Sequence, residues 1–201
     1  AGGYGGDNDA IDLVTIATTG NSTNFGNLTE SKTNGGSCAS STRGIFAAGQ
    51  NPGYINTIEH ITISTTGSAV DSGGDLTVAR RSLGGASNST RGIFFGGQSG
   101  PNNADDNLTN VIDYITIASR GNAVNFGDLA FSTNSGRINA MSGLPSATRV
   151  VMPGGDTFDS GGINTIEYIE IATTGNSIDF GTLATRGKSG VSGFSNGHGG
   201  L

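Results

Sequence analysis

The chain has no tryptophan and a single cysteine, and of its 201 residues only 10 are Lys or Arg against 16 Asp or Glu. The lone thiol, Cys38, has no second cysteine to pair with, which excludes a disulfide-stapled scaffold. A net charge of -6 with so few cations provides no basic face, so nucleic acid and anionic membrane surfaces are poor partners. No apolar run approaches the roughly 18 residues of a helical membrane span. The first residue is Ala and no charged-then-apolar leader follows it, so the chain is expected to be a processed product or a piece of something longer.

Glycine is abundant, with 36 residues. Without a G-X-Y period that content excludes collagen, and regular clusters of Ile, Val and Phe argue against disorder. An all-β protein with many tight turns remains, and the length suits one domain with a real core.

Four segments repeat: "IDLVTIATTGN" from Ile11, "IEHITISTTGS" from Ile58, "IDYITIASRGN" from Ile112 and "IEYIEIATTGN" from Ile166, at spacings of 47, 54 and 54 residues. Each is followed by a stretch ending in Leu, as in "NFGNL" to Leu28 and "NFGDL" to Leu129. Three are preceded by "TRGIFAAG", "TRGIFFGG" or "TRVVMPGG", and before that by a Gly/Ser-rich stretch such as "RRSLGGASNS". A period near 50 with four strand-like pieces per repeat predicts stacked four-stranded units. In the first repeat, alternation puts Ile11, Leu13, Thr15 and Ala17 on one face and Asp12, Val14 and Ile16 on the other. Apolar residues on both faces predict that both are covered, as when sheets stack between neighbouring sheets.

The order of a small-residue strand, Arg-Gly-apolar-aromatic closing on Gly-Gly, a β-branched strand and an aromatic-containing strand resembles the kelch-type repeat of β-propellers across the whole chain. The Gly-Gly pair stands at Gly2-Gly3, Gly96-Gly97 and Gly154-Gly155, with Ala48-Gly49 in the second repeat. The kelch tryptophan is replaced by Phe25, Phe126 and Phe180. A second, compositional likeness is to Gly/Thr/Asn-rich repeat proteins of phage tail fibres. The resemblance implies a single propeller domain over 1–201 with four four-stranded blades: 185–201 plus 1–29, 30–77, 78–130 and 131–184.

The first of those blades is built from both termini. "SNGHGGL" at the C-terminus breaks off where "SNSTRGI" continues, and the chain opens with the matching "AGGYGG". Counted across that join, the interval from Ile166 to Ile11 is 46 residues, close to the first spacing. Gly199, Gly200, Leu201, Ala1, Gly2 and Gly3 are therefore the expected closure seam. It is satisfied either by a ring closed within one chain or by copies joined head to tail.

Arg43, Arg91 and Arg149 recur at one register, as do Asp12, Glu59, Asp113 and Glu167. A charge present in every repeat reads as structural, since one active site needs no multiple copies. Within one unit the Arg and the acid lie at opposite ends of antiparallel neighbours, which leaves a bond between units as the open alternative. Asp7, Asn8, Asp9, Asp105, Asp106, Asp156 and Asp159 lie in the variable loops and offer oxygen ligands for Ca²⁺, but none follows the spaced Asp/Asn loop with its closing Glu. No phosphate loop, zinc site or nucleophile elbow is found; His60, His198 and Cys38 read as substitutions on a repeated scaffold. Sequons stand at Asn21, Asn27, Asn88 and Asn107 as candidate glycosylation sites.

These features lead to the expectation of a non-enzymatic extracellular or virion-surface module without a cofactor, a structural or adhesive bead of a filament or fibre whose partner is a second copy. The alternative is a propeller that binds a glycan or a protein receptor through its variable rim loops.

Overall fold

The computed structural model describes residues 1–3, 8–100, 107–130, 143–157, 161–185, 193 and 195. Strands are its only regular elements of any length: β1 (Ala10–Leu13), β2 (Thr23–Asn27), β3 (Gly36–Ala39), β4 (Arg43–Asn51), β5 (Gly53–Thr62), β6 (Val70–Asp75), β7 (Gly84–Ser87), β8 (Arg91–Phe95), β9 (Val111–Thr116), β10 (Val124–Asp128), β11 (Leu144–Pro145), β12 (Arg149–Pro153), β13 (Asp156–Thr157), β14 (Gly161–Gly162), β15 (Thr165–Glu170) and β16 (Ile178–Thr182). They form three four-stranded antiparallel meanders, β3 to β6 (sheet II), β7 to β10 (sheet III) and β11-β12-β15-β16 (sheet IV). Sheet I comprises β1 and β2, and β13-β14 is a small hairpin.

Local chemistry sets the strand ends. Before each recurring Arg, a Ser or Asn side chain three residues back accepts the Arg backbone N–H: Ser40 for Arg43 at 3.2 Å, Asn88 for Arg91 at 2.8 Å and Ser146 for Arg149 at 2.9 Å. This tight turn makes each first strand reverse into the second. The Gly-Gly pair ends the second strand. Gly96 and Gly154 sit at φ +64°, Gly2 at +68° and Ala48 at +60°, a left-handed conformation that favours glycine. Gly2 N–H donates to the Ala10 carbonyl as Gly96 does to Val111 and Gly154 to Thr165. Residues 1–3 therefore stand where the end of a second strand belongs, beside β1.

An Asn-Phe-Gly or Asp-Phe-Gly motif marks a bulge in the last strands β2, β10 and β16. Register skips Phe25 in β2 and Phe126 in β10, and between Asp179 and Gly181 in β16 it skips Phe180. The extra residue tilts the strand and aims the ring at the neighbouring sheet.

The core lies between sheets. Ile11, Phe25 and Leu28 of sheet I pack with Phe46, Ile61 and Ala69 of sheet II. Ile45, Ala47, Ile58 and Leu76 of sheet II pack with Phe94, Ile115 and Ile117 of sheet III. Ile93, Phe95, Ile112, Phe126 and Leu129 of sheet III pack with Val150, Met152, Ile169 and Ile171 of sheet IV. Both faces of sheets II and III are thus covered. In sheet I the expectation fails: Leu13 and Val14 are exposed and Ile16 is 98 % exposed, and among the described residues no sheet packs against them.

Candidate functional site

Three of the four repeated acids, Glu59, Asp113 and Glu167, are buried. Asp113 is fully buried and takes Arg80 Nη2 at 2.9 Å, Thr77 Oγ1 at 2.6 Å and the Thr77 backbone N–H at 3.3 Å. Arg80 also donates to the carbonyls of Val111 and Phe94. Burial lowers its pKa to about 10, with Asp113 acting in the opposite direction. In sheet II, Glu59 pairs with Lys32 and accepts the Thr29 N–H at 2.5 Å. In sheet IV, Glu167 accepts the Ser177 hydroxyl at 2.9 Å. Asp12, at the same register in sheet I, is exposed.

Lys32 and Arg80 belong to neither the recurring Arg nor the recurring acid positions. Their signal is positional, since each stands four residues before the Gly that opens the first strand of a sheet, Gly36 or Gly84.

The recurring arginines do bond between sheets, though to carbonyls rather than to the acids. Arg43 Nη1 donates to the Ile117 carbonyl of sheet III at 2.8 Å, and Arg91 Nη1 to the Ile171 carbonyl of sheet IV at 2.6 Å. Arg91 lies over the Tyr114 ring at 4.6 Å and Arg149 over the Tyr168 ring at 4.7 Å. His60 takes the Tyr position in sheet II, bonded to Ser72 at 2.9 Å. Burial, then the positive charges of Arg43 and Arg120, push its pKa down.

A backbone latch completes each joint, formed by the loop after the third strand of one sheet and the last strand of the sheet before it. Between sheets III and IV, Gly175 N–H donates to Phe126 O at 2.7 Å, Ser177 N–H to Asp128 O at 2.9 Å, and Asp128 N–H to Asn176 Oδ1 at 3.0 Å. Between sheets I and II, Gly67 N–H donates to Phe25 O at 2.8 Å and Ala69 N–H to Asn27 O at 2.7 Å. Between II and III, Ala123 N–H donates to Asp75 O at 2.9 Å and Asp75 N–H to Asn122 Oδ1 at 3.0 Å. The approach is close enough that a Cβ on Gly127 would lie 2.3 Å from Gly175 O.

Among the described residues, no further sheet engages the same parts on sheets I and IV. On the outer face of sheet IV, Val151, Pro153, Ile166, Phe180 and Leu183 line a groove of about 900 Å³. These are the register equivalents of Ile93, Phe95, Ile112, Phe126 and Leu129, the face of sheet III that receives sheet IV. Phe180 is 55 % exposed where Phe126 is 3 % exposed. At the other end, Val14 and Ile16 correspond to the inserted Ile169 and Ile171. Gly181 has open space where its equivalent Gly127 meets Gly175, and Ser22 is exposed where its equivalents Ala69, Ala123 and Ser177 are buried. Arg149, whose counterparts bond a carbonyl of the next sheet, instead pairs with Glu170 of its own sheet.

Of the residues singled out in the sequence, Asn21 is exposed in the loop after β1 and Asn27 is exposed at the end of β2. Asn88 caps its turn and donates Nδ2 to the Ala147 carbonyl, so a glycan there would displace a bond. Asn107 is half-buried beside Gly100. Ala1, Gly2 and Gly3 lie next to β1 and sheet II, whereas Gly199, Gly200, Leu201 and His198 lie outside the described residues. Asp7, Asp105, Asp106 and Asp159 also lie outside them; Asn8 Oδ1 accepts the Ala10 N–H and Asp156 is half-buried in β13. Among the described residues no group of three or more His, Cys, Asp or Glu is placed to hold a metal ion. Cys38 of β3 is half-buried, its sulfur against Gly92 of β8, and burial pushes its thiol up to about 12. No helix among the described residues is long and apolar enough to cross a membrane.

Compared with known proteins, the chain matches no protein-family model and no curated protein.

Proposed function

We propose that the four sheets are blades of a kelch-like β-propeller module, one blade drawing on both chain ends, and that the protein is a structural or adhesive building block outside the cell or on a virion rather than an enzyme. One observation carries this reading: the charged side chains that recur in the repeats are spent on the scaffold itself. Glu59, Asp113, Arg80, Arg43 and Arg91 are each engaged by bonds that hold a strand or a neighbouring sheet.

Two further features support it. The innermost strands approach one another so closely that a Cβ on Gly85 would lie 2.3 Å from Ser37 O, and one on Gly143 2.5 Å from Ala86 Cβ. They border, together with Gly193 and Ser195, a cavity of about 550 Å³, as blades around an axis do. Gly193 also lies against Leu144 of β11.

Electron microscopy of the purified protein over a range of concentrations tests the reading. Rings or filaments of repeating beads are expected; dispersed single particles at every concentration would overturn it.

A further inference from the structure

The joint between sheets is used three times within the chain, and each use needs the same two halves. The receiving half is an apolar socket with a bulged last strand; the entering half is two β-branched or aliphatic side chains followed by a Gly-polar-small loop that donates to that strand. Sheet IV presents the first half, with Phe180 and Gly181 uncovered, and sheet I presents the second, with Val14, Ile16 and the loop Gly20-Asn21-Ser22 uncovered. Two complementary halves left open at opposite ends of one chain define a heterologous interface.

We propose, resting on the reading above, that the groove on sheet IV takes sheet I of a second copy of this chain through a fourth latch of the same design. Ile16 and Val14 enter the socket lined by Val151, Ile166, Phe180 and Leu183. Gly20 N–H donates to Phe180 O, Ser22 N–H donates to Thr182 O, and Thr182 N–H donates to Asn21 Oδ1. Arg149 leaves Glu170 and donates to the Ile16 carbonyl, repeating the bonds of Arg43 to Ile117 and Arg91 to Ile171.

A second copy is the occupant because continuity with the existing interfaces fixes what fits. The three occupied sockets each hold the next repeat of this same chain, in the same register and with the same latch. Among the described residues the chain's own entering half does not fill its own socket: Ser22 is exposed where Ala69, Ala123 and Ser177 are buried, Ile16 and Phe180 are exposed, and Gly181 has open space where Gly127 meets Gly175. Repetition of the joint then yields a ring if the rotation closes and a filament if it does not.

The test places one cysteine on each half in a Cys38→Ser background: Asn21→Cys in one preparation and Thr182→Cys in another. Both positions are exposed, so folding is expected to be unaffected. After mixing and mild oxidation, a disulfide-linked dimer carrying one of each is expected. The doubly substituted chain is expected to give a ladder of multimers on a non-reducing gel. A doubly substituted chain that cross-links within itself and runs as a fast monomer would overturn the proposal, and so would the absence of any cross-link.

Sedimentation of the otherwise native chain gives an independent readout. Ile16→Glu, at a position without contacts to lose in the free chain, is expected to weaken self-association about tenfold or more. Unchanged association would overturn the proposal. Assemblies seen by microscopy that are insensitive to Ile16→Glu and not cross-linked through 21 and 182 would refute this joint while leaving the structural-module reading standing. Dispersed particles throughout would remove both.

Discussion

Arg80 Nη2 lies 2.9 Å from Asp113 Oδ2, and both side chains are fully buried. The pair ties the segment before β7 to β9, and two carbonyls and a threonine complete its surroundings. Net stabilisation from such a pair is small, because removing two charges from water offsets their attraction. Breaking it is another matter.

Asp113→Ala leaves a buried guanidinium without its counter-charge and is expected to destabilise the protein by about 3–5 kcal/mol. Asp113→Ala combined with Arg80→Met should recover much of that loss. Urea denaturation of the single and double variants measures both; equal stability of the two would show that the charge is not the cause.

A contrast between two glycines isolates the latch. Gly127 and Gly181 share the bulge position and positive φ, +151° and +137°, but only Gly127 faces the next sheet. Gly127→Ala adds a steric clash to the backbone strain and is expected to cost about 1–3 kcal/mol more than Gly181→Ala. Thermal denaturation of the two variants under conditions where the chain is monomeric decides this.

Acid should weaken sheet II through His60. Its folded pKa lies below the ordinary 6.5, so the unfolded chain binds the proton more readily. The stability tied to the neutral ring is therefore fully present above about pH 6.5 and is lost as pH falls through the folded value. His60→Tyr, which restores the residue found in sheets III and IV, is expected to reduce the drop in Tm between pH 7.5 and pH 5. An unchanged drop would assign the acid sensitivity to other groups.

Cys38 is expected to be inert while the chain is folded. The side chain is half-buried with its sulfur against β8, and burial pushes the thiol up to about 12, so little thiolate is present at neutral pH. Titration with a thiol reagent at pH 8 should show slow labelling that becomes rapid in denaturant. Rapid labelling of the folded protein would contradict the packing described.

Much of this protein was legible in one dimension because its structure is built from local, repeated events. The Asn-Phe-Gly bulges, the Gly-Gly strand ends and the Ser or Asn three residues before each Arg are short-range conformational requirements, and a repeat of about 50 residues displays them several times over. Lys32 and Arg80 were harder to read. Each answers an acid two strands away, and nothing in the adjacent residues distinguishes a buried cation from a solvated one.

The sequence by itself determined the β class, the four repeats, and which side chains recur at which register, since strand alternation and turn chemistry depend on neighbours along the chain. Only the tertiary structure decided which of four equivalent positions are covered. Ile16, Ile63, Ile117 and Ile171 are one residue in the repeat, yet Ile16 is 98 % exposed and Ile171 is buried. Burial is a property of what lies opposite, and among the described residues sheets I and IV each pack against one neighbour where sheets II and III pack against two.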